Sequence, residues 1–305
     1  MLVFVLKRLL WMVLTVWAVF TVSFLLMRAV PGGPFDSERE VPPEIKANLE
    51  KRYHLDEPLY QQYFRQLAGA ARFDFGPSYK LADYTVGEVI AEGLPISASL
   101  GLLAMSFAVV LGVTAGTVSA LRRQSVLDVT LMSIATIGIA LPNFIIASIC
   151  VILFVFVIPI FPAAGWGSIS NLILPAFCLG APFAAYIARL TRTGMLDVMG
   201  QDYIRTARAK GLSGRTVVVK HALRGALLPV ASYLGPATAD IMTGSLVVEQ
   251  IFAIPGLGSH FVKAALLRDF PLAMGLVVLY TVLLYSMNLL VDISYTYFDP
   301  RVRLE

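Results

Sequence analysis

Residues able to do chemistry are sparse in this sequence and poorly placed for it. His54, His221 and His260 are far apart and show neither metal-ligand spacing nor a nucleophile partner. Cys150 and Cys178 fall inside apolar stretches, where a thiol suits packing better than a disulfide or a metal pair. The chain has no Gly-x4-Gly-Lys-Ser/Thr loop and so no phosphate cradle of that kind. The expectation is a protein with no catalytic site and no metal or cofactor site of its own.

Two other sets of polar residues invite a role. Asp240 lies within an apolar segment, with Ser232 eight residues before it and Thr243 three after, so that a polar stripe runs along one helical face. A carboxylate at the middle of a bilayer helix costs about 2.5 to 3.5 kcal/mol on insertion scales, so it should face protein or water rather than lipid. Asp240, Thr243 and Asn143, which follows Pro142 in another apolar segment, are the candidates for lining a pathway. A satisfied interhelical hydrogen bond or ion pair stays open as a purely structural role for Asp240. Glu249 is placed to face an outer vestibule, and Asp292 to be an interfacial charge.

The second set is Gln201 to Pro229, QDYIRTARAKGLSGRTVVVKHALRGALLP, a basic insert between apolar segments. Its first part reads as a short helix. Asp202 is placed to cap the amino end, Arg205, Arg208 and Lys210 crowd the last turns, and Gly211 can take the left-handed closing position. Tyr203 and Ala207 share one face, with Ile204 beside them. Such a helix suits a handle for a soluble partner; a topology-fixing cluster of arginines is the plainer alternative.

The elements that must position these residues are membrane helices. With 57% apolar residues, 14% charged residues and a mean hydropathy of +0.75, the chain has too little polar surface for a soluble globule of its length. Its net charge of +4 is small, and the basic residues cluster between apolar segments, which does not point to nucleic acid. Leu9 to Met27 is free of charge and long enough to span, and Arg28 with PGGP follows it rather than a small-residue cleavage site, so it reads as a retained helix. Gly93 to Leu121 is a second span, stopped by Arg122 and Arg123. The charge-free run Val129 to Ala188 divides at Pro159, Pro162 and AAGWG into a third span, bent at Pro142-Asn143, and a fourth ending near Arg189 and Arg192. Gly225 to Glu249 and Phe270 to Val291 are the fifth and sixth.

Between the first two spans, Pro31 to Glu92 is polar and holds eleven of the twenty acidic residues. Pro43 and Pro58 each open an amphipathic pattern there. Before the sixth span, IPGLG leads into a short helix with Phe261, Val262, Ala265 and Leu266 on one face. The expected division is 1–30 as a first membrane helix, 31–94 as an outer loop region with short helices, and 95–305 as a five-helix core whose loop 192–224 carries the basic insert. On the side of the amino terminus the loops and ends hold fourteen Lys and Arg, whereas the two short loops opposite hold only Lys263 and Arg268. The positive-inside rule then puts both termini and the insert in the cytoplasm.

The insert resembles the cytoplasmic coupling loop of the membrane subunits of bacterial ATP-binding-cassette importers. The general pattern is Glu-Ala-Ala, three residues, Gly and a later Leu-Pro; here the triplet is Arg205-Thr206-Ala207, with Gly211 in register and Leu228-Pro229 farther downstream. RTARAKGL, HAL with ALLP, IPGLG, and YHLDEPLYQQYFRQL with DFGPSY resemble the oligopeptide and dipeptide permease branch, the first membrane subunit of an oligopeptide permease in particular. The resemblance implies an all-α membrane protein with the six-helix type I importer fold in a bacterial inner membrane. It implies that Asp202, Tyr203, Arg205, Thr206, Ala207, Arg208, Lys210 and Gly211 dock into an ATPase. It also implies a second homologous permease subunit, two cytoplasmic ATPases that bind ATP and Mg, an external peptide-binding protein and a peptide substrate. Importers of dipeptides, glutathione or nickel complexes share most of these motifs, and an ATPase-independent transporter or a membrane scaffold is the reading from outside the family.

Overall fold

The computed structural model of this chain describes residues 2–31, 33–35, 43–81 and 83–298. Every regular element in that range is helical: α1 (Leu2–Ala29), α2 (Pro43–Arg52), α3 (Leu59–Ala70), α4 (Val86–Leu121), α5 (Val126–Ala140), α6 (Asn143–Val157), α7 (Ile169–Met199), α8 (Asp202–Ala209), α9 (Gly214–Ala226), α10 (Leu228–Gly244), α11 (Leu246–Ile251), α12 (Leu257–Leu267) and α13 (Phe270–Phe298). At 1.5 Å per residue, roughly 20 apolar residues cross a hydrocarbon core of about 30 Å. Four segments meet that length unbroken: Phe4–Ala29 in α1, α4, α7 and Phe270–Leu290 in α13. The other two spans are broken, with α5 and α6 bent by 112° and α9 and the first part of α10 bent by 55°, so the expected six spans hold when each bent pair counts as one.

Both breaks have local causes. Proline at 142 cannot donate to the helix and disfavours helical geometry at Leu141, whose φ and ψ are −86° and 129°. The chain therefore leaves α5, turns and restarts at Asn143, with more than the kink the sequence suggested. Pro229 lies in the first turn of α10, where its missing donor costs nothing, so the helix restarts there. Two other expected boundaries shift as well. The helix of the fourth span does not stop near Arg189 and Arg192 but runs on to Met199, with Thr191, Gly194 and Met195 buried. The fifth is a broken series from Gly214 to Ile251, not one helix from Gly225 to Glu249.

Two compact units can be distinguished. The first comprises the chain up to Ile96 with Pro255–Leu289. Its core gathers Val86, Val89, Leu257, Ala264, Leu272 and Leu276. The packed stripe of α12 is Leu257, Ala264 and the partly buried Phe261, while Ala265 and Leu266, expected on one face with Phe261, are exposed. Asp269 is buried; it accepts hydrogen bonds from Ser78 Oγ, from the Tyr79 N–H at 3.1 Å and from the Leu272 N–H at 3.3 Å, tying the DFGPSY stretch to the start of α13. The prolines do open the two short helices, Pro43 as the first residue of α2 and Pro58 as the cap of α3.

Among the described residues the second unit comprises Ser97–Ile254 with 290–298. Its centre is the contact of α4 with α7, which small residues make close. A Cβ on Gly112 would stand 2.7 Å from the Ala184 carbonyl oxygen, one on Gly116 2.4 Å from that of Ala188, and one on Gly180 2.4 Å from that of Ala104. In lipid the tails are as apolar as leucine, so helix association rests on such packing rather than on hydrophobic exclusion of water. Gly116→Val should overpack this contact and cost about 1 to 3 kcal/mol, read as a lowered unfolding temperature of the purified protein in detergent. Gly214→Ala, where nothing lies within 4 Å, should leave that temperature unchanged.

Candidate functional site

The basic insert folds as the sequence suggests but is anchored by different atoms. Its helix, α8, spans Asp202–Ala209, and the cap position belongs to Gln201 in extended geometry. Asp202 falls one residue too late to cap; its carboxylate makes no cap hydrogen bond and lies exposed, 3.4 Å from Arg205 Nη1. The closing residue is as expected: Gly211 has φ +75°, its N–H donates to the Arg208 carbonyl at 2.9 Å, and that of Leu212 donates to the Ala207 carbonyl at 3.4 Å. The buried face is Ile204 and Ala207, 0% and 5% exposed, whereas Tyr203 is 47% exposed. Ile204, assigned no role from sequence, is thus the main anchor. Helical spacing puts 203 and 207 together, but Tyr203 sits at the edge of the seam, its hydroxyl near Gly225.

Ile204 and Ala207 pack with Ala120, Met195, Val217, Ala222 and Ala226 in one buried cluster. RTARAKGL thereby meets HAL and ALLP, stretches separated in sequence. The seam follows from close backbone approach: a Cβ on Gly194 would stand 2.4 Å from the Ala226 carbonyl oxygen, so α7 and α9 lie nearly backbone to backbone. Outward from this platform, Asp202, Arg205, Thr206, Arg208, Lys210 and Gly211 are all exposed. The result is a short cationic helix pinned on one side and open on the other, suited to insertion in an anionic or polar groove of another protein.

The pathway candidates lie elsewhere in the same unit. Asp240 is exposed on α10, and Asn143, half-buried, opens α6 after the 112° bend. The Thr243 side chain lies outside those described. Two turns before Asp240, the Tyr233 ring centre lies 4.4 Å from that of Tyr186 on α7, with the rings tilted by 38°, so an aromatic pair adjoins the Asp240 face of α10. Ser232, proposed for a polar stripe, returns its hydroxyl to the Leu228 carbonyl at 3.1 Å, as serines in membrane helices commonly do. Glu249 does not face a vestibule. It is fully buried, with Ser97 Oγ donating to it at 2.7 Å and Ser245 Oγ at 2.6 Å.

Comparison with known proteins fits this geometry. A family model described as "Binding-protein-dependent transport system inner membrane component" matches residues 108–304. The chain is 48% identical to the oligopeptide transport system permease protein OppB of Haemophilus influenzae over 99% of its own length and 100% of that protein's. It is 44% identical to OppB of Escherichia coli at the same coverage, and 46% identical to the dipeptide transport system permease protein DppB of Bacillus subtilis over 99% and 98%. This chain belongs to that importer permease family, in its oligopeptide and dipeptide branch. An inward-facing structure of the MetNI methionine ABC transporter shares the fold, with a TM-score of 0.56 at 18% identity over 69% of this chain and 96% of that one.

As a family member the chain is a multi-pass inner-membrane component of a transport system, and its type implies a partner permease and ATPases. The family match begins inside α4 and takes in α8, so the docking candidate lies within the matched part. Among the described residues no group of His, Cys, Asp and Glu could hold a metal. His54 pairs with Glu57 Oε1 at 3.1 Å, and burial, aided by the nearby charge of Lys263, holds the His260 imidazole below its ordinary range.

Sequence reasoning also missed an ion pair made by a buried carboxylate. Arg192 Nε and Nη2 donate to the two carboxylate oxygens of Asp128 at 2.8 and 2.9 Å, where the sequence suggested only that Arg192 ends a span. The only available signal was that Asp128 interrupts an otherwise apolar segment three residues after Ser125.

Ile204→Ala should loosen α8 by about 2 to 5 kcal/mol, the usual range for truncating a buried isoleucine. Amide hydrogen exchange over 202–211 would then accelerate. Arg208→Ala, on the open face, should leave that exchange as it was.

Proposed function

We propose that this chain is the first membrane subunit of an ATP-driven oligopeptide importer, forming half of a pathway completed by a second, homologous permease. Two cytoplasmic ATPases, which hold the ATP and Mg, grip α8 through Asp202, Tyr203, Arg205, Thr206, Ala207, Arg208, Lys210 and Gly211. An external binding protein delivers the peptide. Both termini and α8 are cytoplasmic, as the excess of Lys and Arg on that side supports. The observation that carries the reading is the platform itself: a helix with a cationic open face, fixed by two buried residues to the end of a membrane-spanning helix. The peptide assignment draws on relatives named for oligopeptide and dipeptide transport, and the DFGPSY form and the long outer region support the oligopeptide side.

On the pathway side, Asp240, Thr243 and Asn143 line the conduit, with Tyr186 and Tyr233 beside Asp240. An exposed carboxylate on a membrane helix suits a surface that meets protein or water rather than lipid, as a conduit would. Transport proceeds by alternating access: closure of the ATPases draws the α8 helices together and opens the outer side. Moving such an equilibrium from 1:99 to 99:1 takes about 5.5 kcal/mol of differential binding. The grip on α8 must be stiff enough to carry that bias.

Purification of the native assembly, with mass spectrometry of its subunits and bound ligand, tests the reading directly. ATPase subunits, a second permease and a peptide are expected; an assembly lacking any ATPase would end it. A sharper test uses the turn after α8. Valine at 211 must adopt φ +75°, at a cost of roughly 1 to 2 kcal/mol or more for a branched side chain, while asparagine tolerates it. Gly211→Val should therefore depress peptide uptake relative to ATP hydrolysis with the spans still inserted, and Gly211→Asn should retain most uptake.

A further inference from the structure

The Asp128–Arg192 pair belongs neither to the open face of α8 nor to the Asp240 face, and its geometry exceeds what two stray interfacial charges would make. Asp128 is 3% exposed, and four donors converge on its carboxylate. Arg192 supplies two in a fork, Ser119 Oγ at the end of α4 supplies one, and the Gln124 N–H in the α4–α5 turn supplies one at 2.9 Å. The same turn is set by Gln124 at φ +61° and by Ser125 Oγ, which caps α5 by accepting from the Asp128 N–H at 3.2 Å. One carboxylate thus fixes the corner between α4 and α5 and fastens it to α7.

What α7 carries makes this fastening informative. Arg192 stands two turns before the end of an unbroken helix, and only Gly200 and Gln201 separate that end from α8. Met195, one turn beyond Arg192, is buried in the cluster that holds Ile204 and Ala207. The last turns of α7 and the buried face of α8 therefore pack in one shared cluster. Elsewhere α7 meets α5 along an extensive seam, including the 3.2 Å that would separate a Cβ on Gly138 from the Ala185 Cβ. A two-pronged guanidinium–carboxylate bond resists both sliding and rotation, because either motion misaligns both hydrogen bonds. Beyond Pro142, α6 packs against α7 and α11, so a displacement taken up by α5 passes on to the segment that bears Glu249. On one side the pair borders a groove lined by Met132, Ser133 and Thr136, and the Arg192 side chain is 27% exposed.

We infer that the Asp128–Arg192 fork is the joint through which α8 steers the α4–α5 hairpin, a pair of positioning residues rather than contacts for substrate or nucleotide. The inference rests on the proposed docking of ATPases at α8. With the joint intact, a push on α8 displaces α5; with the fork lost, α7 slips past α5 and the push is absorbed.

Two measurements on the complete importer reconstituted in liposomes test this. Nitroxides at Val126→Cys and Ala209→Cys, both exposed positions, report the α5–α8 distance by pulsed electron resonance, with Cys150→Ala and Cys178→Ala as background. Stimulation of ATP hydrolysis by the importer's own binding protein, as purified with its bound peptide, reports coupling. Arg192→Lys keeps the charge but loses the fork, and Asp128→Asn keeps the size but loses the charge. In both, the narrow distance distribution should broaden, and stimulation should fall at least about fivefold per assembled complex, the lower end of typical coupling effects. If Asp128→Asn does not assemble, Arg192→Lys decides.

Distances and stimulation matching the parent would overturn the joint, as would a fall in stimulation that merely tracks loss of assembled complex. A parent complex showing no stimulation at all would instead remove the docking reading, and the joint with it.

Discussion

The burial of Ile204 and Ala207 against the end of α7 is the contact on which the rest depends. An eight-residue helix does not hold itself together in water, since isolated helices shorter than about 12 to 15 residues are marginal even with good helix formers. The surface ion pair of Asp202 with Arg205, with both side chains largely exposed, adds little to it. Tertiary packing makes α8 exist, and the same packing decides which side of it is open. Because the anchor is apolar and sits at the foot of a membrane-spanning helix, the cationic face is presented at a fixed place and angle. A partner can then exchange force with the membrane region without any residue of this chain doing chemistry.

The membrane part obeys a different constraint. With no water to exclude, α4 and α7 are held by close backbone approach at Gly112, Gly116 and Gly180, each with a carbonyl where a side chain would be. On α10 the Asp240 side chain is exposed, and Tyr233 is half-buried against Tyr186 of α7. A charge facing lipid is costly, so Asp240 suits contact with protein or water. The apolar exposure of Leu102, Val110 and Ile134 has the plainer explanation of lipid or a neighbouring subunit.

Much of this was legible because membrane helices and closing glycines announce themselves. The six spans, the proline-opened outer helices, the bend at Pro142 and the left-handed Gly211 all follow from charge-free length, proline chemistry and backbone sterics. What stayed hidden depended on long-range partners. Ile204 and Tyr203 are neighbours on one turn, and only the position of Ala226 and Val217 decides that the isoleucine is the one buried. Asp202 looked like a cap because its type fits; the chain entered extended one residue earlier and gave that place to Gln201. Sequence position suggested an outer vestibule for Glu249 and no role for Asp128, because Ser97 and Arg192, which donate to them, are 152 and 64 residues away.

Those two carboxylates also explain how a helix as long as α4 keeps its register. Ser97 Oγ binds Glu249 and Ser119 Oγ binds Asp128, and the two serines are 22 residues apart on α4. At 1.5 Å per residue that separation is about 33 Å, close to the thickness of a hydrocarbon core. A polar tie thus sits near each end of the span, while the stretch between relies on glycine and alanine contacts. Apolar packing alone would let α4 shift along its axis at small cost, because successive small residues offer nearly equivalent seats. A hydrogen bond to a buried carboxylate offers only one, and losing it strands a polar group, which costs more than the bond contributes when made. Fixed at both ends in this way, α4 keeps a single register, and its tie at Asp128 is one it shares with α5 and α7.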